Sequence, residues 1–85
     1  MPKTTWSDLH TSSRDRRIGS RLQSERERQG ISQPELTQRL ASLGVPMSDA
    51  LIRRIEHGTR PLNLAEIDAL ARALEVPEAL FLPYE

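Results

Sequence analysis

Three times in this chain an apolar residue, a helix-capping side chain and a second apolar residue recur at one spacing: Ile31-Ser32 with Leu36, Met47-Ser48 with Ile52, and Leu62-Asn63 with Ile67. In each, the capping side chain can accept a hydrogen bond from the first helical turn while the flanking apolar residues staple to each other. The entry of the chain into a helix is therefore set at three places. Glu35 and Glu66 stand three residues after their caps and complete the pattern of a capping box, and Pro34 suits a first turn. No segment alternates with the two-residue period of a half-buried strand, and nothing repeats beyond the cap and staple. The chain is expected to be all-α.

The stops are as clear as the starts. A first helix is expected from a cap at Ser12 or Ser13 to about Gln29, ended by Gly30. The second continues its apolar face through Leu36, Leu40 and Leu43 until Gly44, and Pro46 prevents it from running on. The third occupies 48 to 57 and stops at Gly58, the fourth turns Leu64, Ile67, Leu70, Ala71 and Leu74 inward and ends near Glu75, and Pro77 opens a last short turn of helix in which Leu80, Phe81 and Leu82 close the core. In the first helix the inward row reads Ile18, Leu22, Arg26. An arginine at an apolar position needs a carboxylate partner. The other arginines of that helix, interleaved with Asp15, Glu25 and Glu27, read as solvated pairs.

At 85 residues the chain can close a single small core, with little area to spare. There is no cysteine, which removes disulfides, thiolate metal sites and cysteine nucleophiles and fits a reducing compartment. No stretch has the length of a membrane span and the first residues lack the apolar run of a signal peptide, so a cytoplasmic location is expected. Formal charge is zero but uneven. Residues 1–31 hold seven Lys/Arg against four Asp/Glu, 32–60 four against three, and 61–85 one against five. A basic front and an acidic rear permit a nucleic-acid face on one side without demanding it.

The third helix has two faces. Ile52, Ile55 and Glu56 fall on one side, and Ala50, Arg53, Arg54 and His57 form a stripe on another. A firmly held helix that carries two guanidinium groups outward is suited to the major groove, where arginine matches the acceptor pair of a guanine edge. The plainer alternative is a solvated face with an Asp49–Arg53 pair at i, i+4.

Taken together, the text Ile18-Gly19 with Leu22 and Arg26, Gly30-Ile31-Ser32-Gln33-Pro34-Glu35-Leu36, Ile52-Arg53-Arg54-Ile55-Glu56-His57-Gly58 with Arg60-Pro61, and Ala71-Arg72-Ala73-Leu74-Glu75-Val76 resembles the lambda-repressor-like (Cro, XRE-type) DNA-binding domains. The resemblance implies a five-helix domain with a helix-turn-helix formed by the second and third helices. It implies an N-terminal arm over 1–13, the DNA-binding domain over 14–82 and a short tail over 83–85. It further implies that Gln33 contacts a phosphate or the edge of the site, that Ser48, Asp49, Ala50, Arg53 and Arg54 belong to the reading helix, and that Arg60 clamps the backbone. Arg26 and Glu56 match an inward pair joining the first and third helices, in agreement with their places in otherwise apolar rows. Three features depart from the pattern. About five extra residues separate Leu40 from the reading helix, which is expected to lengthen the second helix through Leu43. Asp49 puts a carboxylate near phosphate, although it can accept from cytosine N4 and suits the helix dipole. Leu51 is bulky, and if partly exposed it suits a thymine methyl or a protein partner.

The expected function is a sequence-specific transcriptional regulator, a repressor-type homodimer on double-stranded DNA, with its dimer seam at Leu80, Phe81 and Leu82. The alternative is an adaptor or antitoxin-like module on the same fold that binds a protein partner. Nothing points to an enzyme, a cofactor or a metal: His10 and His57 are far apart in sequence, and Ser32 and Ser48 are accounted for as caps. Trp6, the only tryptophan, is expected to dock on the domain's own surface.

Overall fold

The structure, a computed structural model, describes residues 13–81. The arm with Lys3, Trp6 and His10, the cap at Ser12, Leu82 and the tail over 83–85 lie outside the described residues. Four α-helices follow one another: α1 (Ser13–Arg28), α2 (Gln33–Ser42), α3 (Asp49–Glu56) and α4 (Leu64–Leu74). Among the described residues there is no strand, and no helix is long and apolar enough to cross a membrane. Helix α1 begins at Ser13 itself, one residue before the expected domain boundary.

All three stapled starts carry their cap. Ser32, Ser48 and Asn63 accept hydrogen bonds from the backbone N–H groups of Glu35, Leu51 and Glu66 at 3.1, 3.1 and 2.8 Å. Only the third is a complete capping box, with Glu66 accepting in return from the Asn63 N–H at 3.0 Å. At the first start Glu35 instead pairs with Arg39 one turn along, at 3.2 Å.

The helix ends share one device. In α1 the N–H groups of Ile31 and Gly30 return to the carbonyls of Arg26 and Glu27. Those of Val45 and Gly44 return to Leu40 and Ala41, and those of Thr59 and Gly58 return to Arg54 and Ile55. These are Schellman closures, and Gly30, Gly44 and Gly58 each hold the positive φ that such a closure requires. At the end of α4 the same bonds run from Val76 to Ala71 and from Glu75 to Arg72, but the residue with positive φ is Glu75, at 56°.

Ile18 and Leu22 of α1, Leu36 and Leu40 of α2, Ile52 and Ile55 of α3, and Ile67, Leu70 and Leu74 of α4 meet in one core. Four expectations are corrected. The fifth helix is a single 3-10 turn, Glu78–Leu80, because Pro77 starts it and Phe81 must already enter the core, where it is 1% exposed. Phe81 therefore cannot form a dimer seam, whereas Leu80 is 40% exposed. Helix α2 stops at Ser42, and Leu43, now the cap residue, leaves the helical spiral and is 45% exposed. Leu64, expected inward, is 63% exposed, since as the first residue of α4 it projects beyond the edge of the core.

Two polar contacts fasten α4 to the other helices. The side chains of Arg39 and Gln29 donate to the carbonyls of Ala73 and Leu74 at 3.0 and 2.9 Å, so α2 and the residue just past α1 satisfy acceptors that the end of α4 leaves open. Asp15, read from the sequence as part of a solvated pair, is buried and accepts from the Leu62 N–H at 3.2 Å, which ties the start of α1 to the turn before α4.

Candidate nucleic-acid interface

Helix α3 is eight residues long and is held on three sides. Its start is fixed by Ser48 and by Met47, which is buried ahead of Ile52. Its inner face is closed by Ile52 and Ile55. Its back lies so close to α1 that a Cβ added to Gly19 would stand 2.0 Å from the Ile55 carbonyl oxygen. Only a glycine allows that approach.

The buried arginine has its carboxylate. Arg26 donates from Nε and Nη2 to the two oxygens of Glu56 at 2.6 and 3.0 Å, and its Nη1 donates to the Ile31 carbonyl at 2.8 Å. The hydrogen bonds to Glu56 raise the Arg26 pKa above its ordinary value despite burial. A bidentate pair of this kind fixes both distance and rotation between α1 and the end of α3. Close by on α1, Glu25 accepts from Arg28 and Gln29, and these bonds, with Arg28 the larger cause, hold its carboxyl below the ordinary carboxylate range.

Helix α2 secures both ends of α3. Gln33 donates from Nε2 to Glu56 Oε1 at 3.0 Å. One turn further along α2, Thr37 Oγ1 stands 2.7 Å from Asp49 Oδ1 and 3.0 Å from the Gln33 carbonyl. Its single hydrogen serves the nearer, charged oxygen best. Asp49 thus bonds to Thr37 across the helix pair instead of forming the i, i+4 pair with Arg53. Leu51 is half-buried and packs on the core.

What remains facing outward is Ala50, Arg53, Arg54 and His57, all exposed. Neither the Arg53 nor the Arg54 guanidinium has a hydrogen-bond or ion-pair partner among the described residues. Ser48 is exposed, with its hydroxyl occupied as the cap. Arg60 lies apart from this group, beyond the Gly58 turn: its Nη1 donates to Glu66 at 2.9 Å and to the Pro61 carbonyl at 2.7 Å. Among the described residues, no group of three or more His, Asp or Glu could hold a metal ion.

A family model described as a helix-turn-helix domain matches residues 17–82. The chain belongs to that family. Comparison with curated proteins and comparison with solved structures each returned no match. Membership of the helix-turn-helix domain family makes DNA binding the general activity of the fold.

Within this helix-turn-helix domain, sequence reasoning missed two residues that set the position of α3, Gly19 and Thr37, and one, Asp15, that ties α1 to the turn before α4. Gly19 carried a signal, since a glycine inside a helical pattern suggests close backbone approach. Thr37 carried none, because its partner is twelve residues away on another helix. For Asp15 the neighbouring arginines suggested pairing on its own helix, whereas its bond to Leu62 spans 47 residues.

Proposed function

We propose that this helix-turn-helix domain is a sequence-specific transcriptional regulator whose unit is formed by α2 and α3, with α3 in the major groove of operator DNA. One observation carries the reading: α3 is held by its cap, its core face, α1 and α2, and the two guanidinium groups left on its outer face have no partner among the described residues. A guanidinium that is exposed, unpaired and mounted on a fixed helix can make a bidentate contact with a guanine edge. In the XRE-type arrangement Asp49, Ala50 and Arg54 face base edges, Arg53 serves base or phosphate, and Gln33, already on Glu56, braces the reading helix and presents its remaining donor to the site edge. Arg60 keeps donors beyond the one used by Glu66 and Pro61, and these suit a phosphate.

A single α3 offers few base contacts. The operator is therefore a two-fold site read by a homodimer of XRE type, with half-sites about one helical turn apart. Leu80, exposed beside the Arg21 guanidinium that donates to its carbonyl at 3.2 Å, is the part of the expected seam that stays available. The protein-partner alternative is weaker than the sequence suggested, because Leu51 packs on the core.

The test is selection of a random duplex library by the purified protein at near-physiological salt. A symmetric enriched motif is expected. Arg54→Ala should relax preference at one position per half-site at a cost of about 1–3 kcal/mol, and Arg60→Ala should weaken all sequences alike. Equal losses on selected and random DNA for Arg54→Ala would remove it from base reading. A folded protein that enriches nothing would refute the regulator.

A further inference from the structure

Among the residues of α3, Asp49 is the one whose chemistry opposes its neighbours. It puts a negative charge at the outer start of a helix that otherwise offers arginine. We infer that Asp49 is a specificity residue for cytosine and that Thr37 is its positioning residue; this rests on the DNA-reading role proposed above.

Thr37 Oγ1 is 2.7 Å from Asp49 Oδ1, both residues are half-buried, and Oδ2 has no partner among the described residues. An aspartate at the first position of a helix can turn back to its own backbone N–H groups. Here it is held on α2 instead. A carboxylate so held is a fixed acceptor with no donor. In the major groove, guanine offers acceptors only, thymine an acceptor and a methyl, adenine a donor beside an acceptor, and cytosine a donor alone. A pure acceptor fits cytosine N4 and is opposed by the lone pairs of the other edges.

The same charge repels phosphate, so its presence lowers affinity for DNA in general while raising discrimination. Two consequences of opposite sign follow. Removing the carboxylate should tighten binding to random duplex and at the same time flatten one position of the motif. A residue that only braced α3 on α2 would do neither, since its loss would weaken all sequences together.

The experiment is the same library selection run on the wild type and on Asp49→Asn, Asp49→Ala, Thr37→Val and Thr37→Ser, each checked for folding by thermal melt. The wild type should enrich a cytosine at one position of each half-site, by about tenfold over other bases. Asp49→Asn, which carries both donor and acceptor, should move that position to adenine. Asp49→Ala should flatten it and bind random duplex more tightly. Thr37→Val, close in shape but without the hydroxyl, should flatten it, and Thr37→Ser should restore it. An unchanged motif in Asp49→Asn and Thr37→Val, with affinity falling alike on all sequences, would overturn the assignment and leave the DNA-reading role standing. Failure of the folded wild type to enrich any motif would overturn that role and this inference with it.

Discussion

Gly19→Ala sets two well-known effects against each other. In an exposed helix interior the change stabilises by about 0.8–1 kcal/mol, because alanine forms helix better than glycine. Here the new Cβ would stand 2.0 Å from the Ile55 carbonyl oxygen, a full ångström inside the 3.0 Å below which such contacts are essentially not seen. The Ile55 oxygen cannot easily retreat, since it accepts the Gly58 N–H at 3.0 Å in the closure that ends α3. The helices must separate instead, which strains the Arg26–Glu56 pair one face away. Overpacking of this kind costs roughly 1–3 kcal/mol and more where backbone is the obstacle. The steric effect exceeds the propensity gain, and we expect a net loss of about 1–2 kcal/mol. For a domain of this size that is a fall of roughly 5–15 °C in melting temperature. Circular dichroism melts of Gly19→Ala and Ser20→Ala, the latter exposed on the same helix, separate the two effects. Ser20→Ala should melt at or slightly above the wild type. If Gly19→Ala does the same, the close approach of α1 and α3 is refuted.

Glu56→Gln should be the costlier substitution, about 3–5 kcal/mol in a denaturant titration, because it leaves the Arg26 guanidinium buried without its charge partner; a loss under 1 kcal/mol would show that the pair is dispensable. Glu75→Gly should stabilise by roughly 0.5–1 kcal/mol, since Glu75 holds a φ of 56° that L-residues adopt at a cost; a lower melting temperature would mean that the unfolded-state entropy of glycine outweighs the relief. The Glu25 carboxyl is held low by Arg28 and then Gln29, so its contribution is complete above the ordinary carboxylate pKa and fades as pH falls through its depressed folded value. Melting temperatures of the wild type and Glu25→Gln should therefore differ at neutral pH and converge in acid below that range, and a gap that widens in acid would reverse the sign of the linkage.

Helix starts were legible because a cap and its staple lie within six residues of one another, and helix ends because glycine at the positive-φ position is a local requirement. Arg26 could be assigned to a carboxylate from its place in an apolar row alone. The errors fall where a helix end or a competing contact overrides the local period. Leu64 has the right period for the core, yet it occupies the first position of α4 and is exposed. Leu43 continues the period of α2 but sits where the Schellman closure turns the chain away. Glu35 had the spacing of a capping box, and Arg39 one turn on took its carboxylate. Of the candidate interface, the arginines were legible as outward residues on a fixed helix. The engagement of Gln33 by Glu56, Asp49 by Thr37 and Arg60 by Glu66 was not, since each depends on which side chains the packing of separate elements brings within hydrogen-bond distance.

These engagements also bear on the charge. A formal net charge of zero suggests no preference for a polyanion. Yet most acidic side chains of the described region already have a partner. Glu25 is with Arg28, Glu35 with Arg39, Glu66 with Arg60, Asp68 with Arg72, and Glu56 with Arg26. Asp15 and Asp49 are taken up by a backbone N–H and a hydroxyl. Pairs of opposite charge a few ångströms apart cancel beyond about a Debye length. The charge that a partner meets at close range is therefore set by what pairing leaves over. On α3 that remainder is Arg53 and Arg54, both positive and both pointing away from the core, against the one carboxylate of Asp49, whose charge the Thr37 hydroxyl does not cancel. Net charge counts every ion equally, whereas an interface responds to ions that are exposed, unpaired and fixed in place. By that measure the chain is neutral as a whole and basic where α3 faces outward.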